Sequence, residues 1–170
     1  MQFRVRPTTA ADRAWIRKSI RARWGAEFVV AHGVVYYPHR LRGFVAETSR
    51  ASRIGLATYG IESAACELVT LDSLQPGQGI GSALLQTVAD VAAERGCRRL
   101  WCITTNDNLP AIRFYQRRGW RMVAVHPDAI ACARARKPSI PRRGIDDIPI
   151  RDEIELELRL RPARSRKRIA

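Results

Sequence analysis

The segment Leu74-Gln75-Pro76-Gly77-Gln78-Gly79-Ile80-Gly81-Ser82 constrains the fold of this 170-residue chain more than any other. Before it, Ala64–Leu71 has the composition and alternation of a strand. After it, Ile80, Leu84, Val88 and Val91 recur at helical spacing towards Gly96. Gly77, Gly79 and Gly81, at alternate positions, let the backbone bend sharply and face its N–H groups outward. The helix start adds unpaired N–H donors and the positive end of its dipole. Strand, glycine bend and helix start together suit an anion such as a pyrophosphate. Two other anion loops do not match. A phosphate loop ends in Gly-Lys-Ser/Thr, whereas Gly81 is followed directly by Ser82. A dinucleotide fingerprint needs a final x-x-Gly step that is missing here, and this bend follows several antiparallel strands.

Around the bend the chain reads β-α-β-β-β-α-β-α-β-(α)-β. Gln2–Arg6 is a first strand, and Thr8 or Thr9 caps a helix over Ala10–Arg23. Phe28–Val30 and Val34–Tyr37 are apolar pieces broken by His32 and Gly33, with no firm assignment. Gly43–Glu47 and Arg53–Tyr59 form an antiparallel pair. Arg99–Thr104 is a strand parallel to Ala64–Leu71, Ala111–Arg118 a helix capped by Asn106-Asp107-Asn108, and Trp120–Val125 a strand. Pro127–Arg136 is a short helix and Lys137–Pro149 a Pro/Gly-rich loop. Glu153–Leu160 alternates strictly, which predicts an amphipathic edge strand with Glu153, Glu155 and Glu157 on a solvated face. A single domain over residues 1–161 is expected, with 162–170 a disordered basic tail.

A net charge of +14 invites a nucleic-acid reading, but residues 54–94 contain no Lys or Arg. Of the 30 basic residues only Lys18, Lys137 and Lys167 are lysine, a bias that a GC-rich coding sequence also produces. No apolar run is long enough for a membrane helix, and the Arg-rich start lacks the apolar block of a signal peptide, so no membrane partner and a cytoplasmic location are expected. Cys66 and Cys102 lie in apolar strands and read as buried structural residues.

A second motif follows the bend: Asn106-Asp107-Asn108-Leu109-Pro110-Ala111-Ile112-Arg113-Phe114-Tyr115-Gln116-Arg117-Arg118-Gly119-Trp120. Asparagine, alanine three on, then Phe-Tyr and Gly-aromatic, together with the bend, resemble the GNAT superfamily of N-acetyltransferases. The resemblance implies an α/β (α+β) fold with a mixed, mostly antiparallel central sheet, one parallel splayed strand pair and flanking helices. It implies acetyl-CoA as cosubstrate, an amine acceptor and no metal, and it allows a homodimer. The pyrophosphate would lie on Gln75, Gly77, Gln78, Gly79, Ile80, Gly81 and Ser82. The pantetheine arm would run between the splayed strands, contacted by Asn108 with Ala111 leaving room for it and Tyr115 facing the sulfur, and Leu71 and Phe114 would also contact the cofactor. One departure is plain: the family's usual Gln/Arg position falls on Pro76, with Gln75 one place early, and Pro76 has no N–H to donate.

Acetyl transfer needs a deprotonated amine, a donor for the oxyanion and a proton for the leaving thiolate. Tyr115 is the candidate acid, and a strand N–H near Leu71 or Asp72 the oxyanion donor. Glu67 shares a strand face with Val69 and Leu71, where a carboxylate is desolvated and suited to act as base. His32, His39 and His126 have no evident partners. Arg134, Arg136, Lys137, Arg142 and Arg143 border the region expected at the acceptor side and suggest an acidic acceptor. A second reading is a non-catalytic nucleic-acid-associated module that uses the basic surface and tail.

Overall fold

The computed structural model describes residues 2–161. The change of period at the bend becomes β6 (Ala65–Ser73) followed by α2 (Ile80–Glu94). Upstream lie β1 (Phe3–Pro7), α1 (Arg13–Trp24) behind one 3-10 turn, β2 (Val29–Ala31), β3 (Val34–Tyr36), β4 (Arg42–Thr48) and β5 (Arg53–Glu62). Downstream lie β7 (Arg99–Thr105), α3 (Leu109–Gln116), β8 (Arg121–His126), α4 (Ala129–Arg136) and β9 (Glu153–Arg159). The tail at 162–170 lies outside the described residues.

A seven-stranded sheet runs in the order β1-β4-β5-β6-β7-β9-β8, and β2 and β3 pair separately. Only β6 and β7 are parallel neighbours, as expected, and they pair at just three positions: Ala65 with Arg99, Cys66 with Leu100, Glu67 with Trp101. Beyond Glu67 the two strands part. The register between β5 and β6 slips at the same place: Tyr59 faces Leu68 and Thr58 faces Thr70, leaving Val69 as an extra residue. A bulge bends its strand and strengthens the local twist. The splay therefore begins where the bulge turns β6 away from β7.

Packing covers both faces of the sheet. Leu84, Leu85 and Val88 of α2 join Leu68, Leu100 and Leu156 in the main core, together with Tyr115 and Trp120. Ile16 and Ile20 of α1 pack with Val29, Val45 and Leu56 in a second cluster. The start of α1 is pinned by Asp12, fully buried and paired with Arg6 and Arg53 at 2.7 and 2.8 Å. The Arg6 guanidinium holds the Asp12 carboxyl below the usual carboxylate range. Cys66 and Cys102 are buried, as expected, and burial pushes both thiols up to about 12.

Two expectations fail. Glu153–Arg159 is not an edge strand, because β9 lies between β7 and β8 and pairs with both. The chain passes through α4 and a long loop before returning inside β8, and β8 becomes the edge. The glutamate face is not solvated either. Glu155 and Glu157 are bonded to Arg99 at 2.7 and 3.2 Å, and Glu153 is 2% exposed. Strict alternation marks one apolar face, but it does not say what covers the other.

Candidate active site

The bend delivers what its glycines implied. Gly77 and Gly79 both hold φ of +78°, and Gly79 caps α2 in the left-handed conformation. Gly77, Gln78 and Gly79 are exposed, while the Ile80 side chain is buried in the core, so Ile80 offers the site only its backbone. No acidic residue stands in the first turn of α2 to offset the dipole. Gln75 lies in the turn, its carbonyl accepting from the Ser73 hydroxyl at 3.1 Å.

Sequence reading missed the positive charge beside this bend, which comes from α3 and its end. Arg113, Arg117 and Arg118 share an open hollow with Gly77 and Phe114. Arg118 donates to Ser82 Oγ at 2.6 Å and lies 3.6 Å from the Phe114 ring centre, tying the Ser82 and Phe114 positions together. The i, i+4 spacing of Arg113 and Arg117 was visible, but not that this face meets the bend.

Between the splayed strands is a cavity of about 490 Å³. Leu71, Asn108, Ala111 and Tyr115 all line it, as expected. Asn108 caps α3, accepting from the Ala111 N–H at 3.3 Å and donating to Thr104 Oγ1 at 3.0 Å. Tyr115 is 7% exposed, packed 4.8 Å from the Trp120 ring, with the Cys102 thiol as a neighbour in the same cavity. Burial raises the phenol well above its usual value. The Asp72 carboxylate is occupied by Arg23 at 2.9 Å and Trp24 at 3.1 Å, which fastens the end of α1 to β6. From Leu68 to Ser73, β6 has β5 on one side and no paired strand on the other, so its backbone faces the cavity there.

Glu67 stands apart from these residues. It lies where β6 and β7 still pair, outside the lining of the splay cavity. Its carboxylate accepts from Tyr36 Oη at 2.8 Å and lies 2.9 Å from His32 Nε2. His32 was assigned no role because it lies between two unassigned pieces, and nothing in the sequence brings those pieces to Glu67. Those pieces form the β2–β3 hairpin, whose two-residue turn is His32 (φ +39°) and Gly33 (φ +78°). Positive φ at both positions is the tight-hairpin geometry that suits Asn-Gly, an uncommon seat for histidine.

The hairpin also walls a second cavity, about 380 Å³, which shares Val69, Ile103, Thr104, Thr105 and Asn108 with the first. α4, the loop after it and Glu153 of β9 complete it. The basic residues expected to attract an acidic acceptor are largely used elsewhere. Arg134 bonds the carbonyls of Ile140, Pro141 and Ile150, and Arg143 pairs with Asp147. Lys137 lines the cavity but is buried and donates to the Phe28 carbonyl at 3.3 Å, and burial lowers its ammonium from the usual value. Among the described residues no group of three or more His, Cys, Asp or Glu is arranged to hold a metal ion, and no helix is long and apolar enough to cross a membrane.

Known proteins carry the same pattern. A family model described as Acetyltransferase (GNAT) family matches residues 13–120. The protein YdhI of Bacillus subtilis (strain 168) is 43% identical over 131 residues, 77% of this chain and 82% of its own. An IAA acetyltransferase from Bacillus cereus ATCC 14579 has a similar structure, with a TM-score of 0.71 at 21% identity over 94% of this chain and 100% of that one. A Bacillus subtilis acetyltransferase solved in complex with CoA gives 0.68 at 17% identity over 94% and 100%. At those identities the structural likeness speaks to the fold.

Proposed function

The chain belongs to the acetyltransferase (GNAT) family, and on that premise we propose that it is an N-acetyltransferase that moves the acetyl group of acetyl-CoA directly to a primary amine. The observation that carries this reading is the cavity between the parting parallel strands, lined by Leu71, Asn108, Ala111 and the buried Tyr115. The strand β6 that walls it leads into a bend with two left-handed glycines at a helix N-terminus.

The residues present fit CoA. The backbone N–H groups of Gly77–Ser82, with Arg113 and Arg117 alongside, would hold the pyrophosphate. The arm would take the place of the missing strand partner beside Leu71, with Asn108 and Ala111 on its other flank. Bound acetyl-CoA supplies a thioester for the amine to attack. The C–N bond would form as the C–S bond breaks, Tyr115 would give its proton to the departing sulfur, and the proton shed by the amine nitrogen would return through water to the tyrosinate. Burial raises the Tyr115 phenol and the neighbouring Cys102 thiol alike, so a thiolate released there would meet a proton donor shifted in the same direction. A backbone N–H of β6 near Leu71 or Asp72 would take the oxyanion. Glu67 acts on this reading through the hairpin, holding His32 and Tyr36, and touches no reacting atom.

The nucleic-acid reading gains no support from the family match, and the tail it relied on lies outside the described residues. The test of the proposal is release of free thiol from acetyl-CoA with a panel of amines, alongside thermal melts. Acetyl-CoA at 100 times its dissociation constant should stabilise the protein by about 2.7 kcal/mol. Desulfo-CoA should do nearly as well, because the grip is on phosphates. No shift with either ligand and no thiol release would overturn the reading.

A further inference from the structure

The second cavity has a chemical demand that nothing among the described residues meets. Its walls are mostly aliphatic, with Val30, Val69, Ile103, Ile130, Ile140 and Ile150 among them. Three charged side chains reach it: Arg23, Lys137 and Glu153. Both cations are engaged, Arg23 by the Asp72 carboxylate and Lys137 by the Phe28 carbonyl. Glu153 is the exception. Its side chain is buried, and its only donor among the described residues is the His32 backbone N–H, 3.0 and 3.1 Å from its two oxygens. An ionised carboxylate has room for about four hydrogen bonds, and no described cation lies within salt-bridge distance of this one. The ionisable neighbours on the surrounding elements have other contacts: the His32 ring turns to Glu67, and His126, opposite Glu153 on β8, lies 3.4 Å from Glu155.

A buried carboxylate with one donor is costly unless a ligand completes it. An ammonium does so, bringing three N–H donors and the missing positive charge. The aliphatic walls select what carries that ammonium, and the volume limits its size to a small molecule.

We propose that Glu153 is the seat of the acceptor's ammonium group, and that the acceptor is a compact primary amine on an apolar body. The proposal rests on the acetyltransferase reading for the word acceptor, but not for the binding site. It sets the specificity of the cavity against the charge of the chain: a protein of net charge +14 would present to its small-molecule ligand a negative group with no cation partner among the described residues.

The full-length protein saturated with CoA is titrated calorimetrically with hexylamine, phenethylamine and cyclohexylmethylamine. The matched alcohols and carboxylic acids serve as controls. At least one amine is expected to bind ten times or more tighter than its alcohol, with the acids weakest. E153Q should erase that preference and E153D should keep part of it, both with unchanged CoA affinity. Equal binding of amine and alcohol, no binding by any amine, a preference for acids or an amine preference that survives E153Q would each overturn the proposal. The ranking on wild-type protein decides even if E153Q does not fold. Failure of the acetyltransferase reading is separately visible, as amine binding that persists with no CoA binding and no thiol release.

Discussion

The cofactor half of the site and the acceptor half are built by different means. On the proposed cofactor side the working groups would be largely backbone: the N–H groups of Gly77–Ser82 and the open side of β6. They depend on local conformation, set by glycines at φ of +78° and by a helix start. On the acceptor side the working groups are side chains brought together from far apart. The contact from His32 to Glu153 spans 121 residues, and Lys137 donates to the Phe28 carbonyl across 109. Backbone machinery tolerates many sequences but few conformations. Side-chain machinery does the reverse, so one fold can keep a cosubstrate while its acceptor changes.

The comparison breaks first at Gly79. A valine there must hold φ near +78°, a region a β-branched residue rarely enters, although open space surrounds its Cβ. Gly79→Val should weaken acetyl-CoA binding by about a hundredfold or more while amine binding to the second cavity persists. Calorimetry with each ligand reads both. Unchanged CoA affinity would mean that the phosphates are held elsewhere.

On the proposed mechanism Tyr115 is the point where a side chain acts in the cofactor half. Tyr115→Phe keeps the packing on Trp120 and removes the hydroxyl. Turnover should fall by about 10²–10³ with acetyl-CoA affinity nearly unchanged, a loss in kcat and not in binding. A similar loss in CoA affinity would make the tyrosine a packing residue.

These two predictions rest on residues that were legible before any coordinates. A glycine series, an Asn-x-x-Ala-x-x-Phe-Tyr run and a change of apolar period are local patterns, and local patterns survive in sequence. Leu71, Asn108, Ala111 and Tyr115 indeed share one cavity. The bulge at Val69 left no trace, because it is a mismatch between two strands and not a property of either. The hairpin was missed because three-residue strands are shorter than the window in which periodicity can be counted. Glu67 was read as a candidate base on a desolvated strand face, but alternation could not show that its carboxylate meets Tyr36 and His32 outside the lining of the splay cavity. Glu153 was read as solvated because alternation cannot see a hairpin arriving from 121 residues away.

Gly144 sharpens the contrast from the acceptor side. Asp107 Oδ2 would lie 1.9 Å from a Cβ at this position and Ile150 Cδ1 2.9 Å. Gly144→Ala therefore has to shift the loop, at a cost of about 1–3 kcal/mol for overpacking. The expected result is an amine KM raised about tenfold, with acetyl-CoA affinity intact. Equal losses for both ligands would show that the halves are mechanically coupled.

Glu67→Gln should matter less. Glutamine can still meet Tyr36 and His32, so the hairpin stays in place with some loss of hydrogen-bond strength. Turnover is expected to fall a few-fold, by the same factor across the pH range. A deficit that deepens at low pH and fades at high pH would instead make Glu67 the base.

The smallest effect is on stability, and its sign separates a residue kept for function from one kept for folding. Burial raises the Glu153 carboxyl above the usual glutamate value, which is about 4.3 in an unfolded chain. Sign follows from linkage. The folded state then binds the proton more tightly than the unfolded one, so wild-type stability rises as pH falls through the folded value and levels off below the unfolded one. Above the folded value the protein carries the cost of a buried, unpaired charge. Glu153→Gln removes that charge and can keep accepting from the His32 N–H. The variant should therefore melt higher than wild type at pH 8, by about 2–4 °C for each kcal/mol recovered, and the advantage should vanish near pH 4. Adding a bound amine at pH 8 should close the gap from the other side, raising the wild type more than the variant. A lower melting temperature for Glu153→Gln at pH 8 would mean that the ionised carboxylate already has what it needs within the fold, and that Glu153 is structural.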